Sequence, residues 1–236
     1  VRAVARSLDK LACRPFAGHH NLELAQADIR DATAMRRAAD GCRAAYYLVH
    51  SMRSAKDDFA AADREAAAAM AAVASDAGLS RIIYLGGLGN DDDALSHHLK
   101  SRHETARVLA AGSVPVTHLR AAMILGSGSA SFEIMRYLVD RLPFMITPRW
   151  VRNRCQPIAV SDVLGYLVGC LAEPRTAGLT LDIGGPDVLS YGDIFAIYAE
   201  EAGLPRRLIL PVPFLTPRLS TYWQDEPPGQ IGRAHV

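Results

Sequence analysis

The chain alternates, from its first residues onward, between short apolar runs and longer stretches of helical character. "VRAVA" gives way to Ser7 and "LDKLA". "NLELAQADIR" (Asn21 to Arg30) alternates like a strand, and "DATAMRRAADG" then reads as a helix closed by Gly41. "AAYYLVH" (Ala44 to His50) reads as a buried strand, Phe59 to Ala77 as an Ala-rich helix ended by Gly78, "RIIYLG" as a strand, His98 to Ala111 as a helix and "VPVTHLR" as a strand. Strands separated by helices of this length cannot pair as hairpins, so the alternation predicts an α/β fold: a parallel sheet with helices on both faces. Beyond Ser131 the rhythm loosens into a helix (Ser131 to Leu142), a Pro- and Arg-rich loop, a helix (Ser161 to Leu171), the strand "LTLDIGG", a helix (Tyr191 to Ala202) and "RLILPVPFL". That part reads as a small substrate lobe.

With 236 residues, 50% of them hydrophobic and 22% charged, the chain can bury one good-sized core. Twenty-six Lys and Arg balance 25 Asp and Glu, for a net charge of +1, which argues against nucleic acid or an anionic membrane as partner and for a small molecule. No apolar run reaches the ~18 residues of a membrane span. Cys13, Cys42, Cys155 and Cys170 are widely separated, giving neither a metal spacing nor a disulfide framework and fitting free thiols in the cytoplasm.

Several ordered segments carry a resemblance: "VRAVARSLDKLA", "ADIRD", "AAYYLVHSM", "RIIYLGGLG", "VPVTHLRAAMILGSGSASFEIMRYLV", "PRWVRNRCQPIAVSDV" and "LDIGGPDVLSY". Together, over Val1 to Trp223, they resemble the atypical short-chain dehydrogenase/reductase (SDR) family, most closely the NAD(P)-binding proteins related to the SDR-like accessory subunit of respiratory complex I. The resemblance implies a single NAD(P)-binding Rossmann-type doubly wound domain, with a cofactor half (1–130) and a substrate lobe (131–223). It also implies that a first strand, a Gly-rich turn and a first helix belong ahead of Val1, so a gap is expected beside "AAYYLVH". At the other end, 224–236 is expected to be a disordered tail, and "IGRAHV" (Ile231 to Val236) reads as a translated sequencing adapter.

The family's architecture assigns candidate sites. Arg6, with Ser7, ends the strand where NAD-preferring domains carry an acidic residue, so a cation there favours the 2′-phosphate of NADP over NAD; a solvated arginine at a strand end is the plainer reading. Asp28 and Ile29 border the adenine, although Asp28 also suits a helix cap or turn. Leu48, Val49 and His50 line the floor below the nicotinamide ribose, with an acid/base role for His50 as the lesser alternative. Leu85, Gly86 and Gly87 belong to the turn "GGLG" (Gly86 to Gly89), which stands where the superfamily carries its catalytic serine.

In "SHHLKSRHETARVL", His98 and Arg102 fall at the places of the superfamily's Tyr-x-x-x-Lys pair. Arginine keeps the charge that holds a ribose, but its proton is fixed, and histidine is a different acid with a shorter reach, so standard carbonyl reduction is in doubt. His98 and His103 are five apart and splay on a helix, so no metal site is expected. "LGSGSAS" (Leu125 to Ser131) mimics a phosphate-binding fingerprint but has Ser131 where the third glycine belongs. In the family it borders the substrate, through Ser127 and Ser129. Arg149, Arg152 and Arg154 gather around Trp150, which suits an anionic or planar ligand, a protein surface, or a solvated loop anchored by its tryptophan. The expectation is therefore an NADP-binding oxidoreductase of unnamed substrate or, alternatively, a non-catalytic redox sensor or assembly factor. A protein partner stays open.

Overall fold

The structure is a computed structural model that describes residues 1–49, 59–89 and 97–212, without the side chains of Phe59, His97 and His98. Its first part follows the predicted alternation: β1 (Arg2–Ala5), α1 (Leu8–Ala12), β2 (Glu23–Gln26), α2 (Ala32–Ala39), β3 (Ala44–Tyr47), α3 (Phe59–Asp76), β4 (Arg81–Gly87), α4 (His97–Ala110) and β5 (Val116–Ala121). β1, β2, β3 and β5 are shorter than the runs that announce them, while β4 extends one residue past "RIIYLG". After β2, the Asp28 carboxylate accepts the Arg30 N–H at 3.0 Å and the Asp28 carbonyl accepts Asp31 N–H at 2.9 Å, which turns the chain out of extension. Asp31 then caps α2 by accepting from Thr33 N and Ala34 N.

The rest comprises β6 (Ile124–Leu125), α5 (Ala130–Arg141), β7 (Phe144–Pro148), a 3-10 turn (Arg149–Arg152), β8 (Arg154–Cys155), β9 (Ile158–Ala159), α6 (Val160–Ala172), β10 (Thr180–Ile183), β11 (Leu189–Ser190), α7 (Tyr191–Glu201) and β12 (Leu208–Val212). The stretch expected to be a Pro- and Arg-rich loop thus contains three short strands. Its alternation is visible in β7, where Met145 and Thr147 are buried while Phe144 and Ile146 are exposed. The prolines flanking that run obscure it.

Contacts divide the chain into two units, Val1–Ala122 with Ser161–Ile183, and Met123–Val160 with the chain from Gly184 onward. In the first, β3, β4, β5 and β10 form a parallel sheet in the order β10-β5-β4-β3. β1 and β2 pair in parallel as a separate sheet. Among the described residues β1 has no strand neighbour but β2, and β3 none but β4. The two sheets are joined through α2: Arg2 Nη1 donates to Ala38 O and Asp40 O at 2.8 and 2.7 Å, and Arg36 pairs with Asp76 of α3 at 2.8 Å.

Helices cover both faces of the four-stranded sheet. Tyr47, Ile82 and Tyr84 pack with Met70, Val73 and Leu109 of α3 and α4 in one core. On the alternate face, Tyr46 donates from its hydroxyl to Leu167 O of α6 at 3.0 Å, and the buried Arg81 guanidinium holds the end of α6 through Cys170 O, Glu173 O (3.0 Å) and Thr176 Oγ1 (3.2 Å). Each fully buried apolar side chain in such a core contributes about 1.5–3 kcal/mol. The second unit pairs β6 with β9, β8 with β11 and β7 with β12, and packs Met135 and Val139 of α5 against Ile194, Phe195 and Ala199 of α7. A capping box between Ser190 and Asp193 starts α7.

Candidate functional site

In parallel α/β sheets, ligands bind beyond the carboxyl ends of the strands, and the candidate residues of the first unit stand there. Arg6 and Ser7 follow β1; Asp28 and Ile29 follow β2. Because Ala5 and Gln26 are register partners, the two strand ends lie side by side. Gln26 Nε2 donates to Arg6 O at 3.0 Å and fixes the backbone at that edge. Asp28 receives Arg30 Nε and Nη2 at 3.3 and 3.4 Å. Its carboxyl is held below the usual range chiefly by these side-chain hydrogen bonds, then by the Arg30 backbone, with the Arg6 charge as the smallest contribution. The Asp28 charge is therefore engaged by Arg30. The Arg6 side chain is exposed and makes no hydrogen bond among the described residues.

Leu48 and Val49 follow β3 and are exposed at 58% and 40%. His50 lies outside the described residues. Leu85, Gly86 and Gly87 end β4, and Arg102 of α4 reaches the same edge, its Nη1 donating to Leu85 O at 3.3 Å. The Tyr84 hydroxyl donates to Arg102 O at 3.2 Å. Burial pushes the Tyr84 phenol up, and the Arg102 interaction opposes this. His98 sits in the first turn of α4, one turn before Arg102, and its side chain lies outside the described residues. The structure thus brings Arg102 to Leu85, and Arg6 to Asp28.

Gly86 has no room for a side chain, and at Gly87 one would have to displace the end of Leu99. A Cβ at Gly86 would strike His118 Nε2 and come within 3.2 Å of Tyr84 Cε1; one at Gly87 would meet Leu99 Cδ2 at 2.6 Å. His118 of β5 was not singled out in the sequence. It is buried, stacks on Tyr84 with ring centroids 5.0 Å apart, and its Nε2 has no hydrogen-bond partner among the described residues. Burial, then the Arg120 charge, lowers its pKa to about 4, so the ring is neutral. The available signal was a histidine at an inward position of the apolar strand "VTHLR". Arg120, also missed, forms a bidentate pair with Asp182, at 2.5 and 2.9 Å.

In the second unit, Ser127 is exposed, and Ser129 precedes α5 with its hydroxyl donated to Ile124 O at 2.7 Å. Gly128 between them has φ +85°, a turn that favours glycine. Arg149 and Arg154 are exposed on either side of Trp150, whose ring meets Tyr191 edge-on at 5.3 Å. The buried residue of the segment is Val151, while Trp150 and the arginines are exposed. Arg154 contributes to holding the Asp193 carboxyl low, after the Ser190 hydrogen bonds.

For a dinucleotide, the first unit offers an exposed cation beyond β1, apolar residues beyond β3, and a glycine pair at the end of β4 with the Arg102 guanidinium near it. These fit the two ends of such a ligand. Among the described residues, no glycine-rich turn leads from a strand into a helix at the ends of β1, β2 or β3 to hold its phosphates.

A parallel sheet with helices on both faces and open strand ends defines a Rossmann-type nucleotide-binding fold. The chain belongs to the NAD(P)H-binding family, whose model matches residues 1–138, and the resemblance to atypical SDR proteins is borne out. No curated protein matches the chain in sequence. Among solved structures it is similar to a nucleoside-diphosphate-sugar epimerase from Staphylococcus aureus (18% identity, 97% of this chain and 75% of that one, TM-score 0.76). It is also similar to the Bordetella bronchiseptica enzyme WbmG in complex with NAD and UDP (16%, 94% and 79%, TM-score 0.70). A third is the Citrobacter sp. triphenylmethane reductase complexed with NADP(H) (15%, 90% and 70%, TM-score 0.70). At these identities the likeness is one of fold.

Proposed function

We propose that the protein is a cytoplasmic, NADP(H)-dependent oxidoreductase of the SDR type. The observation that carries the NADP preference is the exposed Arg6 guanidinium at the end of β1, the place where NAD-preferring domains carry an acidic residue. An exposed guanidinium at that place suits a 2′-phosphate and offers no acceptor to a ribose 2′-hydroxyl. In this reading Ser7 and Ile29 complete the adenosine end, and Leu48, Val49 and His50 lie below the nicotinamide ribose. Leu85, Gly86 and Gly87 border the nicotinamide, which when bound supplies hydride chemistry. Arg102 contributes a fixed positive charge toward the ribose, and His98 is the candidate proton donor. Ser127, Ser129, Arg149 and Arg154 are assigned to the substrate. Exposed arginines suit an anionic one, a chemistry shared with the UDP found with WbmG.

The adenosine end is tested separately from turnover. Adenosine 2′,5′-bisphosphate is expected to bind more tightly than AMP, and Arg6→Ala should cost about 1.5–3 kcal/mol toward the bisphosphate alone, the worth of one charge-assisted contact. Equal losses for both ligands would sink the assignment. NADPH oxidation against a panel of carbonyls and quinones then separates an enzyme from a binding-only redox sensor or assembly factor, the reading favoured by the absence of hydroxyl side chains at Gly86 and Gly87.

A further inference from the structure

β4 ends in two glycines, Gly86 and Gly87, paired with Arg120 and Ala121 of β5, and the chain then turns through Leu88 and Gly89, the last with no side chain to fix it. The restraints on this turn come from β5. Leu88 N–H donates to Ala121 O at 2.9 Å, and Arg120 Nη1 donates to Gly89 O at 3.2 Å. Arg120 is itself fixed from the other side, by the bidentate pair with Asp182, its register partner on β10. One guanidinium therefore spans the carboxyl ends of three strands. Its Nε and Nη2 face β10, and its Nη1 faces the turn after β4.

We infer that Arg120 is the positioning residue for the turn Gly86–Gly89, and that Asp182 acts by setting the plane of its guanidinium. Only arginine has donors enough, in a rigid fork, to bind both oxygens of a carboxylate and a carbonyl at once; lysine keeps the charge without the fork. The consequence for ligand binding rests on the proposed placement of this turn beside the nicotinamide. A turn free to shift by even an ångström presents a different floor to the ring.

The test combines hydrogen–deuterium exchange of the peptide containing Leu88 with NADPH affinity, in the wild-type protein, Arg120→Gln, Arg120→Lys and Asp182→Asn. The turn is expected to exchange at least tenfold faster in both Arg120 variants, with the amides of Ile82 to Tyr84 as protected as in wild type. Asp182→Asn should fall between. NADPH affinity should drop about tenfold in step. Unchanged exchange at the turn in Arg120→Gln overturns the inference, as does a rise that extends equally to the strand core, which would make Arg120 a residue of general stability. Faster exchange with NADPH affinity intact upholds the clamp and overturns the placement of the turn beside the nicotinamide. Should Arg120→Gln fail to fold, Arg120→Lys decides alone, and wild-type exchange in it overturns the inference.

Discussion

Gly86→Ala measures how tightly the glycine turn is coupled to β5. The added methyl would overlap His118 Nε2 and press on Tyr84 Cε1 at 3.2 Å. His118 is buried, held between strands and stacked on Tyr84 at 5.0 Å, so the ring cannot swing aside as an exposed side chain would. Overpacking of this kind costs about 1–3 kcal/mol. His118→Ala alone loses the stacked ring and leaves a cavity, at ~2–4 kcal/mol, but also removes a buried nitrogen without a partner, which returns ~1–3. The two largely offset, for a net cost of about 1 kcal/mol. The informative quantity is the coupling. In the His118→Ala background the methyl at 86 has space, so Gly86→Ala should cost less than about 0.5 kcal/mol there, giving an interaction energy of roughly 1–2.5 kcal/mol. Urea unfolding of the four proteins reads it from the midpoints, provided the m-values agree. A Gly86→Ala penalty equal in both backgrounds would refute the claim that His118 is what forbids a side chain at 86, and with it the explanation for the absence of a serine there.

The His118 pKa, about 4 in the folded protein against 6.5 for the free side chain, makes stability pH-dependent. The unfolded chain binds the extra proton first, so stability is complete above about pH 6.5 and falls as pH drops toward 4, by at most about 3 kcal/mol; His118→Phe should flatten that limb of a denaturation-versus-pH series. Arg81→Met should cost about 2–3 kcal/mol, because it strips the donor from Cys170 O, Glu173 O and Thr176 Oγ1. The loss is limited because the Thr176 hydroxyl still donates toward Cys170 O and Glu173 O, at 3.3 and 2.8 Å. Amide exchange near the end of α6 should accelerate ahead of the rest, and a uniform rise would contradict this assignment.

The alternation of elements in the first unit was legible because each signal there is local. "RIIYLGG" is β-branched and aromatic, Asp31 caps a helix with its own carboxylate, and Ala-rich α3 has no competing preference. Strand lengths were not, since β2 ends where Asp28 bonds forward to Arg30, a side-chain choice that competes with extension. β7 was hidden by the prolines at 143 and 148, and its partner β12 lies some sixty residues on, a pairing that no local pattern announces. At the site, positions were readable and partners were not. Arg6 and Arg102 could be placed at strand and helix ends from the order of elements. That Arg30 engages Asp28, or that His118 fills the space above Gly86, depends on side chains meeting across sequence gaps.

The same contacts narrow where a proton could come from. In the superfamily pattern the lysine acts on a tyrosine one helical turn away, lowering its pKa so that the phenol can donate to a carbonyl. Here the described phenol bonded to the residue at the lysine place is Tyr84, which is on a strand, fully buried, and gives its proton to the Arg102 carbonyl. Burial raises its pKa, the wrong direction for a donor near neutral pH, and its hydroxyl is spent on the backbone. His118 fails for a related reason. It is neutral with a pKa near 4, and its ring is shut behind Gly86 and Tyr84. Arg102 holds its own protons too firmly to lend one. Among the described side chains of β4 and β5 none is suited to give a proton, and His98 at the start of α4 stays the proposed donor. A histidine paired with an arginine, unlike a tyrosine paired with a lysine, needs the cation only to hold the ribose, and the charge-fixed guanidinium on Leu85 O is compatible with that lesser duty.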